Sequence, residues 1–233
     1  MNIVITGASK GIGKAIAEKF AANGYSLFLC ARTEGELSET ADTIAQKFPD
    51  IKVEYRTCDV SKKSELRAFA DWILDKTQQI DVLINNAGSF VPGQVHEEED
   101  GTVEYLMETN LYSAYYLSRY LLPSMMNRKS GHIFNICSIA ALKAYKYGGS
   151  YSITKYAMAG LAVNLRDEMR EYGVKVTAVY PGAAYTASWE GSGIPPERMM
   201  TAQDIAEMIY TSASLSPQAC VEEIMIRPQL GDL

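Results

Sequence analysis

The sequence TGASKGIG, residues 6–13, decides the fold. It follows the short apolar run Ile3–Thr6 and precedes a segment with helical periodicity, so it predicts a strand-to-helix turn. Gly7, Gly11 and Gly13 let such a turn take positive φ angles and bring the backbone close to a ligand. The next helix offers free N–H groups and the positive end of its dipole, which together bind phosphate. Taken alone, the glycines are equally consistent with close packing of a helix on a strand.

The glycine spacing argues against other phosphate loops. No glycine lies five positions before the pair Gly13-Lys14, as a Walker loop requires, and the pattern is not G-x-G-x-x-G. The same residues match the hydrolase pattern G-x-S-x-G with Ser9 as nucleophile. Too little chain precedes Ser9 to supply an oxyanion loop, and neither His96 nor His132 has a suitable place. We therefore reject the hydrolase interpretation.

Outside this turn, short apolar runs alternate with segments whose apolar residues recur three and four positions apart. The predicted strands are Ile3–Thr6, Ser26–Cys30, Val53–Cys58, Val82–Asn85, His132–Cys137, Lys175–Tyr180 and Glu223–Arg227. The predicted helices include Lys14–Ala22, Glu36–Lys47, Glu65–Lys76, Thr102–Met126 and Tyr151–Tyr172. Several runs are β-branched and continuous, which is typical of strands buried on both faces.

Strands alternating with helices predict a doubly wound, Rossmann-type α/β fold with a seven-stranded, mostly parallel sheet and helices on both faces. The sequence contains no repeat and no linker, so residues 1–233 are expected to form a single dinucleotide-binding and catalytic domain. The irregular stretch Trp189–Pro196 is interpreted as part of a short substrate lid at about 183–200.

Composition excludes several classes of protein. The 233 residues are 47% apolar with a net charge of −6, which gives no reason to expect nucleic-acid or anionic-membrane partners. No apolar run reaches the ~18–20 residues of a membrane span, and no signal peptide is recognisable. The cysteines Cys30, Cys58, Cys137 and Cys220 are scattered, which favours free thiols in a cytoplasmic protein and argues against a metal site.

The end of the second strand indicates which dinucleotide is bound. An acid there accepts hydrogen bonds from the ribose of NAD, but this strand ends in Ala31 and Arg32. Lys10 lies in the phosphate turn on the same side. Two cations and no carboxylate favour the 2′-phosphate of NADP, although each cation alone is equally consistent with a solvated charge. Asp59 is placed to accept from the adenine amino group or, alternatively, to pair with Ser61.

Tyr151 and Lys155 are four residues apart at the start of a helix, so both side chains lie on one face. An ammonium about 4 Å from a phenol is expected to lower its pKa from about 10 toward neutrality. Such a tyrosine acts as a general acid or base. Ser138, at the end of the fifth strand, is placed to donate to a substrate oxygen. Asn110 falls on or beside the apolar stripe of a predicted helix, where a polar amide needs hydrogen-bond partners. It is either part of the active site or a structural bridge to the NNAG turn.

The ordered set TGASKGIG, NNAG (Asn85–Gly88), Asn110, Ser138, YSITK (Tyr151–Lys155) and PG (Pro181, Gly182) resembles the short-chain dehydrogenase/reductases with compact subunits. The resemblance covers essentially the whole chain. It implies that Tyr151 is the general acid in reduction, Ser138 orients the carbonyl, Lys155 holds the nicotinamide ribose, and Asn110 positions a proton-relaying water. The cofactor-binding residues that it implies are Thr6, Gly7, Ser9, Lys10, Gly11, Ile12, Gly13, Arg32, Asp59, Val60, Asn86, Ala87, Gly88, Tyr151, Lys155, Pro181, Gly182, Ala184 and Thr186. Ala184 departs from the family, which usually has a larger aliphatic residue there.

The segment after the sixth strand predicts a lid that closes over a small or planar carbonyl substrate. The candidate pocket residues in this segment are Tyr185, Trp189 and Met199. Three more come from elsewhere in the chain, namely Phe90, Ser138 and Tyr145. The chain is similar to sepiapterin-reductase-like and 3-oxoacyl carrier-protein reductase members. Arg119, Arg128 and Lys129 are consistent with a basic patch for carrier docking, but solvated helix charges are the favoured interpretation. The family further implies a homodimer or homotetramer assembled through Thr102–Met126 and Tyr151–Tyr172.

The leading hypothesis is an NADP(H)-dependent reductase of a small-molecule ketone or diketone. The alternatives are a 3-oxoacyl carrier-protein reductase and, in another class, a non-catalytic NADP-binding sensor on the same fold. All four catalytic positions are filled, which disfavours the sensor.

Overall fold

A computed structural model describes residues 1–186, 189, 191 and 193–233. Within them, seven strands form one sheet in the order β3-β2-β1-β4-β5-β6-β7, and all six neighbouring pairs are parallel. The strands are β1 (Asn2–Thr6), β2 (Ser26–Ala31), β3 (Val53–Thr57), β4 (Val82–Asn85), β5 (Gly131–Ile136), β6 (Val174–Pro181) and β7 (Glu223–Ile226). The predicted doubly wound fold is confirmed.

In the described part of the chain, seven α-helices connect and cover these strands. They are α1 (Gly11–Ala21), α2 (Glu34–Lys47), α3 (Lys63–Lys76), α4 (Thr102–Met107), α5 (Ser113–Arg128), α6 (Gly149–Met169) and α7 (Ala202–Ala213). The last was not among the predicted helices, although Thr201 and Asp204 form a reciprocal capping box at its start. Two apolar cores lie on the two faces of the sheet, as expected for a sheet with helices on both sides.

The long helix predicted over Thr102–Met126 is not continuous. A π-helical turn, Glu108–Tyr112, separates α4 from α5 and carries Asn110. The helix that carries Tyr151 and Lys155 begins at Gly149, two residues before its predicted start, and is followed by a 3₁₀ turn at Arg170–Tyr172. The starts of β2, β3, β4 and β7 and the ends of β1, β4, α2 and α3 lie where predicted, and the other predicted strand and helix ends shift by one to three residues.

The prediction that the strands are buried on both faces holds for the middle of the sheet only. Strands β1, β2, β4, β5 and β6 are almost entirely buried, whereas β3 lies at one edge with residues 55–57 exposed. At the opposite edge, Glu223 and Met225 of β7 are exposed. Edge strands have a neighbouring strand on one side only, so more of their residues reach solvent.

The sheet order reverses between β1 and β4, because the chain moves outward through β2 and β3 and then returns to the other side of β1. At such a switch point the loops after neighbouring strands diverge and leave a crevice at the carboxyl ends. The main cleft of this chain lies there. Among the described residues, no helix is long and apolar enough to cross a membrane, and no group of three or more His, Cys, Asp or Glu side chains is arranged to hold a metal ion.

One buried histidine lies at the opposite, amino end of β5. The ring of His132 stacks on Phe134, and its Nε2 lies 2.7 Å from Oγ1 of Thr177. Burial is the main reason that the pKa of His132 falls to about 3, and the charge of Lys175 adds to the effect. The folded protein therefore keeps this imidazole neutral.

This burial makes stability depend on pH. Because the unfolded histidine has a pKa near 6.5, the unfolded state binds a proton below that pH while the folded state does not. We expect the free energy of unfolding of the wild type to fall by about 1.4 kcal/mol more than that of His132→Gln between pH 7.5 and pH 5.5. Urea denaturation of both proteins at the two pH values measures the difference. Equal pH dependence in both proteins would show that His132 is not a buried neutral group.

Candidate active site

The turn after β1 is shaped by glycines that have no room for a side chain. Gly7 and Gly11 have φ angles of +66° and +57°, in the left-handed region that favours glycine. A Cβ on Gly13 would overlap the carbonyl oxygen of Gly7. Gly13 therefore packs helix α1 against the turn, while Gly7 and Gly11 line the cleft.

The turn is also tied to the segment that follows β4. The hydroxyl oxygen of Thr6 accepts hydrogen bonds from the backbone N–H groups of Asn86 and Ala87, at 3.1 and 3.0 Å. The amide of Asn86 donates to the carbonyl oxygens of Thr6 and Gly7. Thr6 is buried and does not reach the cleft surface, so its described contacts are within the protein.

Three charged side chains lie where the cleft passes the end of β2. The Lys10 ammonium is 3.3 Å from Oε1 of Glu36, and Arg32 donates to the Tyr105 hydroxyl at 3.3 Å. Sequence reasoning found no acid here because it looked at the end of β2, whereas Glu36 lies in the first turn of α2. Asp59 does not line the cleft. Its Oδ1 accepts hydrogen bonds from the N–H and the hydroxyl of Ser61. The pairing with Ser61 is the alternative to adenine binding that the sequence left open.

Helix α6 brings Tyr151 and Lys155 together beside the end of β5. Both line the cleft, and the Lys155 Nζ lies 5.6 Å from the centre of the Tyr151 ring. Lys155 is buried and donates to the carbonyl oxygen of Ile136 at 2.9 Å. Ser138 follows β5 on the same wall of the cleft, and its hydroxyl caps the 3₁₀ turn after it by accepting from the Ala140 N–H.

The structure reverses the expected direction of the Tyr151 pKa. Burial raises the pKa of Tyr151, and a hydrogen bond from Ser138 offsets part of that rise. Burial also lowers the pKa of Lys155, because it disfavours the charged form of each group. Tyr145, on the same cleft wall, has its pKa raised to about 12, mainly by burial. Tyr151 is thus held as a neutral phenol, the form that donates a proton.

Asn110 occupies the π-helical turn and bonds to three groups. Its Oδ1 accepts from the Ser89 N–H at 2.7 Å, and its Nδ2 donates to the Ser89 carbonyl oxygen and to Oγ1 of Thr154. The amide therefore bridges from the helix to the residue after the NNAG turn and to α6. Asn110 does not line the cleft, but its Oδ1 and the Lys155 Nζ both flank the bare Cα of Gly88.

A residue from a distant loop caps helix α6. Glu98 accepts from the Ser150 N–H at 2.8 Å and from the Ser150 hydroxyl, while α6 has no capping side chain of its own. A side chain on Gly93 or Gly149 would overlap the Glu98 side chain. The Gly93 N–H also donates to the carbonyl oxygen of Tyr147, so the loop is fastened to α6 immediately before Tyr151.

The outer part of the cleft is aromatic. Phe90 packs edge-on against Tyr151, with ring centres 4.9 Å apart, and Tyr145 and Trp189 also line the wall. Tyr185 is exposed and Met199 is buried, and neither of these two predicted pocket residues lines the cleft.

The two ends of the predicted lid segment are joined by backbone contacts. Ala184 pairs with Met200, and the Tyr185 N–H donates to the Met200 carbonyl oxygen at 2.9 Å. Residues 187, 188, 190 and 192 of the predicted lid lie outside the described residues.

The cleft has a volume of about 600 Å³ and unites most of the predicted site. The predicted residues that line it are Gly7, Ser9, Lys10, Gly11, Ile12, Arg32, Val60, Asn86, Ala87, Gly88, Phe90, Ser138, Tyr145, Tyr151, Lys155, Pro181, Gly182, Ala184, Thr186 and Trp189. Two residues of the predicted basic docking patch have partners within the protein. Arg128 is bound to Asp81 and to the Ile80 carbonyl, and Arg119 lies over the Tyr115 ring.

A family model described as short chain dehydrogenase matches residues 1–193. The chain belongs to the short-chain dehydrogenase family. It is 33% identical over 239 residues to the sepiapterin reductase of Chlorobaculum tepidum, which covers 99% of this chain and 97% of that protein.

Solved structures agree with this assignment. A metagenomic short-chain oxidoreductase in complex with NADP matches 98% of this chain and 97% of its own length, with a TM-score of 0.85 and 31% identity. The alcohol dehydrogenase of the archaeon Thermococcus sibiricus, complexed with 5-hydroxy-NADP, covers 100% of this chain and 98% of its own, with a TM-score of 0.91 and 29% identity.

Several cleft residues of this short-chain dehydrogenase were not predicted. Lys143 and Asp232 meet at the mouth, 3.4 Å apart, and Asp232 also accepts from Arg227. These cations lower the pKa of the Asp232 carboxyl, Arg227 more than Lys143. A resemblance centred on the catalytic motifs gives no signal for them, since Lys143 lies in a loop and Asp232 near the end of the chain. Glu98 carries no family motif either, and only the run of acids at residues 97–100 marks its loop.

The cap on α6 predicts a local dependence of stability on Glu98. Replacing Glu98 by Ala leaves the Ser150 N–H and hydroxyl without their shared acceptor, at a cost of about 1–3 kcal/mol in the free energy of unfolding. Glu99→Ala is the matched control, because Glu99 is exposed on the same loop. Urea denaturation of both variants checks the prediction. Equal stabilities for the two would contradict it.

Proposed function

We propose that this short-chain dehydrogenase is an NADP(H)-dependent reductase of a small or planar ketone or diketone, with Tyr151 as the general acid. The observation that carries the proposal is the convergence of Tyr151, Ser138 and Lys155 on one wall of the cleft, beside the glycine turn after β1. A neutral buried phenol next to a hydroxyl donor suits a carbonyl oxygen that gains negative charge during reduction.

NADP(H) fits the chain at the inner part of the cleft. Gly7 and Gly11 form a backbone cradle that a side chain would fill, and the amino end of α1 follows it. Lys10 and Arg32 supply positive charge at the end of β2, where a 2′-phosphate would lie. The NADP complexes of the solved relatives support the same cofactor. Asn86, Ala87 and Gly88 on one side and Pro181, Gly182 and Thr186 on the other would hold the nicotinamide half.

When bound, NADPH supplies a hydride to the carbonyl carbon. In the proposed step Ser138 and Tyr151 donate hydrogen bonds to the carbonyl oxygen, and the Tyr151 proton moves to that oxygen as its charge develops. The Lys155 ammonium, held by the Ile136 carbonyl, stabilises the resulting phenolate. Asn110 keeps the Ser89 loop and α6 in register and would position a water that returns the proton.

The aromatic wall favours a planar substrate. Phe90, Tyr145 and Trp189 give flat apolar surfaces beyond the catalytic tyrosine, and Lys143 with Asp232 gives a polar mouth. We propose that the segment from Ala183 to Met200 closes over this part of the cleft and excludes water during hydride transfer. The similarity to a sepiapterin reductase supports testing sepiapterin as a substrate.

We also propose a homodimer or homotetramer in a reducing, cytoplasmic setting. The end of the π-helical turn and the outer faces of α5 and α6 carry exposed apolar side chains, namely Tyr112, Tyr115, Ile153, Tyr156 and Val163. Such a face is typical of a surface that pairs with another copy. All four cysteines carry free thiols, three of them buried, which supports the proposed compartment.

The direct test of function is NADPH oxidation by the purified protein with sepiapterin, small diketones or an acetoacetyl thioester, repeated with NADH. We expect turnover of the first two substrates with NADPH preferred. Turnover of the thioester alone would support the carrier-protein reductase instead, and NADPH binding without turnover of any carbonyl would support the sensor.

The assignment of the acid predicts a large loss in Tyr151→Phe. Removing the proton donor should lower kcat about 10²–10⁴-fold, while NADPH binding stays within a factor of about three. Tyr172→Phe is the matched control, since Tyr172 is exposed at the far end of the same helical segment. Steady-state kinetics and calorimetric titration measure the two effects. A Tyr151→Phe protein with most of its turnover would exclude Tyr151 as the acid.

A further inference from the structure

A carboxylate faces the phosphate turn from helix α2. The Oε1 of Glu36 is 3.3 Å from the Lys10 Nζ, and its Oε2 is 3.4 Å from the Ser9 hydroxyl. All three side chains line the cleft together with Arg32. In dinucleotide sites an acid at the end of the second strand binds the ribose hydroxyls, whereas Glu36 follows the end of β2 and lies in the first turn of α2.

The backbone fixes where Glu36 points. The Thr40 hydroxyl donates to the Ser9 carbonyl oxygen at 2.9 Å, so one face of α2 is fastened to the phosphate turn. Glu36 lies four residues earlier and therefore on the same face of that helix. Leu37, beside it, is fully buried in the core. The carboxylate is thus directed at Lys10 by the packing of the helix as well as by the ion pair.

The charges at this end of the cleft oppose one another. Lys10 and Arg32 are positive and Glu36 is negative, and a phosphate monoester brings about −1.5 to −2 at neutral pH. The side chains of Lys10 and Glu36 are 62% and 45% exposed, so their ion pair is weak and easily exchanged. A 2′-phosphate at Lys10 has to compete with Glu36, whereas an unphosphorylated ribose meets Glu36 as a hydrogen-bond acceptor.

We propose that Glu36 is a specificity-determining residue that narrows the preference of this chain for NADPH over NADH. Its carboxylate repels the 2′-phosphate and occupies Lys10, and it accepts a hydrogen bond from the 2′-hydroxyl of NADH. The chain therefore uses both dinucleotides, with a smaller margin between them than its two cations alone would produce. The inference rests on the NADP(H) cofactor of the proposed function and is independent of the carbonyl substrate.

The test measures dinucleotide binding alone. Isothermal titration of the wild type, Glu36→Gln and Glu39→Gln with NADPH and with NADH gives the ratio of the two dissociation constants for each protein. Glu39 is the control, because it is an exposed acid on the same helix that does not line the cleft. Titration with 2′,5′-ADP and 5′-AMP repeats the comparison without the nicotinamide half.

We expect Glu36→Gln to shift the ratio toward NADPH by about three- to tenfold, the size of a unit charge acting on a phosphate across about 6 Å of solvent-rich surface. Glu39→Gln should stay within about twofold of the wild type. In Glu36→Gln, the ratio of the dissociation constants for 2′,5′-ADP and 5′-AMP should shift in the same direction, toward the phosphorylated ligand. An unchanged or reversed ratio in Glu36→Gln, or an equal shift in Glu39→Gln, would overturn the proposal.

The competition for Lys10 gives a second, independent readout. If Glu36 occupies Lys10, then Lys10→Gln should weaken NADPH binding more in the Glu36→Gln background than in the wild type, because the ammonium is then free to serve the phosphate. Equal losses in the two backgrounds would exclude this competition.

Discussion

The buried ammonium of Lys155 is the constraint on which the site depends. It lies under the cleft wall, donates to the Ile136 carbonyl at the end of β5, and fixes α6 against the strand that leads to Ser138. A buried charge without a partner is costly, so the helix cannot rotate away from that carbonyl. Tyr151, one turn earlier on the same face, is consequently held over the end of β5 next to Ser138. The glycines of the first turn bring the backbone of β1 and α1 to the other side of the same cleft.

Much of this arrangement follows from local sequence rules. Apolar runs between segments of helical periodicity located all seven strands. The signal is strongest for the five central strands, because burial on both faces of a parallel sheet leaves little choice of residue type. The spacing of Tyr151 and Lys155 placed them on one face of a helix. The glycine positions anticipated the left-handed backbone at Gly7 and Gly11, since few other residues take that conformation at low cost.

The remainder depends on contacts between segments far apart in the chain. The π-helical turn around Asn110 exists because its amide bonds to the Ser89 backbone and to Thr154, and helix propensity does not record such partners. Glu98 accepts a hydrogen bond from Ser150, which lies 52 positions later in the chain, and Glu36 pairs with Lys10, which lies 26 positions earlier. The sequence also predicted a lowered pKa for Tyr151, whereas burial raises it. The neighbouring cation is visible in a sequence motif, but burial is a property of the whole fold.

The pH dependence of carbonyl reduction at saturating NADPH, in the wild type and in Lys155→Met, tests this account most directly. If the Lys155 ammonium stabilises the Tyr151 phenolate, removing it raises the pKa of the phenol. The fall of kcat at high pH should then move upward by at least about one pH unit in the variant, with a lower plateau. A descending limb at the same pH in both proteins would show that the ammonium does not act on the proton donor.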